Sequence, residues 1–114
     1  MRLLLPFVVA LVPATAALAH HGWGSYDADR PLTLNAEIAA STFENPHTTL
    51  TVMHEGADWL VRLAPPSRMT VRGAAAEVIQ PGKTVKAYGY PKRDGSHEIR
   101  AEWIEVDGQH YELR

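Results

Sequence analysis

Residues 47–73 read HTTLTVMHEGADWLVRLAPPSRMTVRG, and a change of period inside this stretch decides the fold. Thr48, Leu50 and Val52 alternate with His47, Thr49, Thr51 and Met53, the period-2 spacing of a half-buried strand. His54-Glu55-Gly56-Ala57-Asp58 reads as a hairpin loop, and Trp59, Val61 and Leu63 supply the inward face of the next strand. The alternation stops at Pro65-Pro66-Ser67. Proline suits the first turn of a helix, whose N–H groups are unbonded in any case, and Gly73 is placed to end it. Residues 66–72 are therefore predicted to form a short helix.

The same pattern extends on both sides. Upstream, Leu32, Leu34, Ala36, Ile38 and Ala40 alternate with Thr33, Asn35, Glu37 and Ala39, a first strand, and Glu44-Asn45-Pro46 makes a bend because proline drives the preceding residue out of the helical region. Downstream, residues 74–79 can add a helical turn before Pro81-Gly82 reverses the chain. Thr84 to Tyr90 is a fourth strand with Val85 and Ala87 inward, and Asp94-Gly95 marks a hairpin link. Ile99, Ala101 and Trp103 begin a fifth strand whose apolar face slips at Trp103-Ile104, which predicts a bulge there. Asp107-Gly108 then turns into a short last strand, His110 to Leu113. The expected fold is mainly β: a small five- to six-stranded OB-like barrel over residues 32–114 with one short helix after strand three. A curved open sheet packed by the helix competes with it. The barrel is preferred because closure removes exposed edges.

Residues 1–19 have the three parts of a secretory signal. Arg2 is the positive end, residues 3–12 (LLLPFVVALV) are the apolar segment, and Ala17-Leu18-Ala19 offers small residues where signal peptidase cuts. This run is too short, and too interrupted by Pro6 and Pro13, to serve as a membrane anchor. Cleavage after residue 19 takes Arg2 away and leaves 95 of the 114 residues, with a formal charge of −3 against −2 for the whole chain. The expected location is periplasmic or secreted, with no membrane attachment after cleavage. The mild negative charge argues against a nucleic-acid partner, and the absence of cysteine rules out disulfides and a cysteine nucleophile.

All six histidines belong to the processed chain. His54, His97 and His110 fall in or beside predicted loops and read as solvated surface residues. His20 and His21 would lead the mature protein, on a polar, aperiodic, extended arm over residues 20–31, and His47 follows the Asn-Pro bend. A free α-amine titrates near 7.7 to 8.0, so at neutral pH an appreciable fraction of it can chelate together with the imidazole of the same residue. A second imidazole, from His21 or His47, completes a nitrogen set that suits copper(II) first and zinc second. Asp27, Asp29 and Glu44 are candidate oxygen donors. The plainer reading makes His20-His21 a disordered leader and His47 a strand-start residue bonded to the Asn45 turn. A third reading is a binding module for a small molecule or an envelope protein, without metal, using Tyr88, Tyr90, Arg62 and Arg100 on one barrel face. No serine stands in a recognisable nucleophile elbow, and nothing commits the chain to an enzyme.

Taken together, His20-His21, Tyr26-Asp27, Pro31-Leu32-Thr33-Leu34, Asn45-Pro46-His47, the Pro66 to Gly73 helix, Pro81-Gly82 and Gly89-Tyr90-Pro91 resemble a family of small exported bacterial proteins, domain of unknown function 6152. Where that family has a strand-one glycine, an aspartate after Pro-Gly and an aromatic residue after the helix, this chain has Ala36, Lys83 and Ala74. The resemblance implies export and a compact β domain. It implies no activity.

Overall fold

The computed structural model describes residues 2–4 and 22–114; His20, His21 and most of the expected signal segment lie outside them. Strand β1 spans Leu32–Thr42, β2 Thr49–His54 and β3 Ala57–Arg62, followed by helix α1 at Pro66–Val71 and a 3-10 turn at Ala76–Ile79. Then come β4 (Thr84–Pro91), β5 (Glu98–Val106) and β6 (Gln109–Glu112). The strands neighbour one another in the order β3-β2-β1-β4-β5-β6, and β3 pairs with β5 as well. That second pairing, parallel from Leu60↔Glu98 to Arg62↔Arg100, closes five strands into a barrel and leaves β6 as an addition on β5. The open-sheet alternative is therefore set aside in favour of the OB-like barrel.

The period-2 residues form the core. Leu34, Ile38, Leu50, Val52, Val61, Val85, Ala87, Ile99 and Ile104 are essentially fully buried, and Met69 of α1 and Ile79 of the 3-10 turn join the same cluster. Each large apolar side chain removed from water in this way contributes about 1.5–3 kcal/mol. Helix α1 starts on Pro66 and stops where Gly73 adopts a φ of +87°, with the amide of Ala74 closing back on the Met69 carbonyl at 2.8 Å.

Both strands that must bend most carry bulges. On β1 the pairing moves from Ile38↔Val52 to Ala40↔Thr51, so Ala39 is the extra residue. On β5 it moves from Ala101↔Gly89 to Trp103↔Tyr88, so the extra residue is Glu102, just upstream of the expected position at Trp103-Ile104. That one insertion lets Ile99 and Ala101 face inward together with Ile104 and Val106, while Trp103 stays half-buried and stacks on Tyr88.

The described part of the arm differs from the extended course expected of it. Residues 22–31 form turns laid against the barrel, with the Asp27 amide donating to the Pro91 carbonyl (2.8 Å) and the Arg93 amide to the Ser25 carbonyl (2.9 Å). Tyr26 bridges to Lys92 and is only 5% exposed.

Candidate ligand-binding cleft

The arm turns an outer barrel face into a cleft. Alternation along β5 sends Ile99 and Ala101 to the core and Glu98 and Arg100 to the other side. The turns of residues 22–26 cover that side, and Glu98 is left only 9% exposed. Its carboxylate accepts from the Tyr26 hydroxyl and from Arg62 Nε at 3.3 Å, with Lys92 Nζ 3.8 Å away. Burial, then the hydrogen bond to this carboxylate, pushes the Tyr26 phenol up to about 12.

Gly22, Ser25, Tyr26, His47, Arg62, Lys92 and Arg100 line an open cleft of about 230 Å³ beside this network. Arg100 Nη1 donates to the Gly22 carbonyl at 2.5 Å, and its guanidinium carbon lies 4.2 Å from the centre of the Trp23 ring. The cis Asn45–Pro46 bend precedes His47, which enters from the loop before β2. His47 Nδ1 lies 3.0 Å from the Leu63 carbonyl oxygen. A carbonyl only accepts, so Nδ1 carries the hydrogen and Nε2 keeps its lone pair in the neutral ring. Burial holds the His47 pKa below its ordinary 6.5; the Leu63 bond acts the other way, and Arg100 and Arg62 add to the depression.

Of the three predicted metal-site residues, His47 therefore lines the cleft, while His20 and His21 lie outside the described residues. Gly22, the next residue along, is anchored in that same cleft. Among the described residues no three His, Asp or Glu side chains converge as metal ligands. The suggested oxygen donors are not among the lining residues: Asp27 turns to Arg93 (4.0 Å) and to the Asp29 amide (3.1 Å), and Glu44 is exposed. The histidines read as solvated have neighbours of their own. His97 stacks on Trp59 at 4.7 Å, His54 meets the same ring edge-on, and the exposed His110 lies between Glu105 and Glu112.

Tyr88 and Tyr90, singled out in the sequence, belong to a row of aromatic rings crossing the barrel exterior. Trp23 meets Tyr90 at 6.2 Å, Tyr90 meets Tyr88 at 6.1 Å, and Tyr88 stacks on Trp103 at 5.4 Å. Arg62 and Arg100 line the cleft beside this row: Arg100 is the register partner of Tyr90 on β4 and of Arg62 on β3, and its guanidinium lies over the Trp23 ring. Glu98 and Tyr26 were missed by sequence reasoning. No local signal marks either one, since the contact joins residues 72 positions apart.

The fold and the cleft define a small five-stranded OB-like barrel, extended by β6, with one outer face covered by the arm. The profile of a family described as "Family of unknown function (DUF6152)" matches residues 8–100, and the chain belongs to that family. No curated protein matches the chain. Among solved structures, a chain in the crystal structure of the S. pombe Stn1-Ten1 complex matches at 23% identity and a TM-score of 0.55, over 68% of this chain and 57% of that one. A chain in the crystal structure of a complex of TiaS with an isoleucine tRNA and ATP matches at 17% identity and a TM-score of 0.50, over 71% of this chain and 19% of that one. This chain thus spans little more than half of the first and a fifth of the second, and at these identities the likeness is one of fold. No helix among the described residues is long and apolar enough to cross a membrane.

The Tyr26–Glu98 pair predicts a defined alkaline transition. The phenol titrates at about 12 in the folded protein against 10.0 in the unfolded chain, so the folded state holds this proton more tightly. The stabilisation is complete below pH 10 and is lost as the pH rises from 10 to 12, a change on the order of 2–3 kcal/mol. Urea unfolding across this interval should show the loss, and Tyr26→Phe should flatten it. An equally steep decline in the phenylalanine variant would assign it to other groups.

Proposed function

We propose that this protein is exported to the periplasm or secreted, is processed after Ala19, and binds a divalent metal ion, copper(II) before zinc, through His20, His21 and His47. The observation that carries the reading is the tie between the Gly22 carbonyl and Arg100 inside the cleft that His47 lines. Gly22 follows His21 directly in the sequence and shares with His47 the lining of this cleft. The Leu63 carbonyl supports the reading further, because a metal-binding imidazole characteristically commits its other nitrogen to a carbonyl or carboxylate. A ring held neutral below its ordinary pKa also competes well for a metal at mildly acidic pH.

Arg62, Lys92 and Arg100 oppose a bare dication, so nitrogen ligation must outweigh that repulsion. Added salt screens the repulsion, and copper affinity is expected to rise with ionic strength. Calorimetry on protein whose mature N-terminus has been verified by mass tests the assignment. His47→Ala should weaken copper binding by about tenfold or more, and one extra N-terminal residue should weaken it by removing the chelating amine. Equal affinity in wild type and His47→Ala would end the proposal.

The aromatic row favours a second reading, a metal-free binding module for a small molecule or an envelope protein. Stacked and edge-on rings offer apolar area at low entropic cost. Binding that survives loss of all three histidines but not of Tyr88 and Tyr90 would select it.

A further inference from the structure

The cleft also carries a charge pattern that metal ligation does not explain. Three of its lining residues are cations, Arg62, Lys92 and Arg100, and the one carboxylate bonded to them among the described residues is Glu98. Glu98 serves Arg62 and Lys92. Arg100, among the described residues, has a carbonyl and an indole face as partners and no carboxylate within ion-pair distance. Arg62 and Arg100 are moreover register partners in the parallel β3–β5 pairing that closes the barrel. Like charges directly opposite one another across a strand pair are destabilising. Burial, and then the neighbouring Arg62, Arg114 and Arg68, depress the Arg100 pKa, although Tyr26 acts in the opposite direction.

The seam that closes the barrel thus sets two guanidinium groups side by side, of which Glu98 pairs with only Arg62, facing an open cleft large enough for a small molecule. We infer that the cleft is a binding site for a small oxyanion, a carboxylate or a phosphate, clamped by Arg100 with Arg62 and Lys92. Guanidinium groups present paired N–H donors that match the oxygens of either group, and charge-assisted hydrogen bonds of this kind are the strong ones. His47 refines the class. With Nδ1–H given to Leu63, the remaining nitrogen accepts a hydrogen, so the preferred ligand carries a hydroxyl beside its charged oxygens, as a hydroxy acid or hydrogen phosphate does. The inference goes beyond the metal reading and does not depend on it.

The probes are L-malate, succinate as its hydroxyl-free counterpart, and inorganic phosphate, each titrated by calorimetry into chelator-stripped, processed protein. Amide shifts of Gly22, Ser25 and His47 report where binding occurs. Saturable binding of malate or phosphate is expected, weakening as salt is added, the opposite sign to the copper prediction. Malate should bind more tightly than succinate, and His47→Ala should remove that preference while leaving the oxyanion bound. Arg100→Met should lower affinity by about tenfold or more, and Arg100→Lys by less. Arg100→Met also gives up the bond to the Gly22 carbonyl and the Trp23 contact, so some fall in melting temperature is expected; Arg100→Lys, which keeps the positive charge, separates that loss from the loss of the oxyanion clamp. No saturable binding of any probe, or undiminished binding in Arg100→Met, overturns the inference. Loss of copper binding in His47→Ala with oxyanion binding retained would uphold both proposals as separate.

Discussion

Gly89→Ala is expected to cost the barrel about 3 kcal/mol or more, a large share of the roughly 5–15 kcal/mol that keeps a domain folded. A Cβ built on Gly89 would overlap the carbonyl oxygen of Arg100 and would lie 2.6 Å from its carbonyl carbon and 2.8 Å from Cα of Ala101. These are backbone atoms, so no rotamer change relieves the clash. The position is where β5 changes partners. Residues Trp103 to Val106 pair with β6, residues Glu98 to Arg100 pair with β3, and the Glu102 bulge lies between them, opposite Gly89. Pulling β5 around this corner presses its backbone onto β4, and only a residue without a side chain accommodates it. The comparison is Gly56→Ala, at a hairpin glycine with φ of +78° and nothing within 4 Å, where alanine should cost about 1 kcal/mol for its left-handed backbone alone. Urea midpoints of the two variants separate the effects. Equal midpoints would mean that the strands can part by an ångström at little cost.

The same corner shows how far the sequence could be read. The slip in apolar alternation along β5 is visible because inward positions change from odd (Ile99, Ala101) to even (Ile104, Val106), and an extra residue is the only way a strand does that. Its placement was displaced because Trp103, large and apolar, looks inward by composition, while in the barrel it stacks outside on Tyr88. The Ala39 bulge left no such trace, since Ala39 and Ala40 are both small and give no contrast between faces. Helix α1 was legible because proline and glycine act through their own backbone restrictions, whatever surrounds them.

The cleft was legible only in part, and for a physical reason. His47 stood out through its local setting behind Asn45-Pro46. Arg62 and Arg100 were noticed as outward strand residues, but their opposition depends on a parallel pairing between strands 38 residues apart, which periodicity cannot reveal. Tyr26 sits in a polar, aperiodic segment and meets a carboxylate 72 residues further along the chain. Nothing near either residue announces burial, because the burial is produced by the arm lying over the barrel.

That carboxylate is the basis of the second large effect. Glu98→Ala is expected to destabilise the protein by about 3–5 kcal/mol, the range seen when one member of a buried charged pair is removed. The Tyr26 hydroxyl would lose its acceptor, Arg62 its closest carboxylate and Lys92 its neighbour, and the cleft would hold three cations with no negative charge from the described residues bonded to them. Glu98→Gln should cost less, because an amide oxygen still accepts from the phenol and from Arg62 Nε while the charge is gone. The damage should be local before it is global. Amide exchange at Asp27 and Arg93, whose hydrogen bonds hold the arm to the end of β4, should accelerate beyond what the loss of overall stability explains, while Leu34 and Val85 in the core follow overall stability alone. A cost below about 1 kcal/mol would place the network in the range of exposed ion pairs, screened by water. Glu98→Gln also gives the charge argument an opposite arm to Arg100→Met. Removing the carboxylate bonded to the cationic wall should tighten malate or phosphate binding where removing Arg100 weakens it, so the two substitutions move affinity in opposite directions if the net positive charge of the cleft is what holds the ligand.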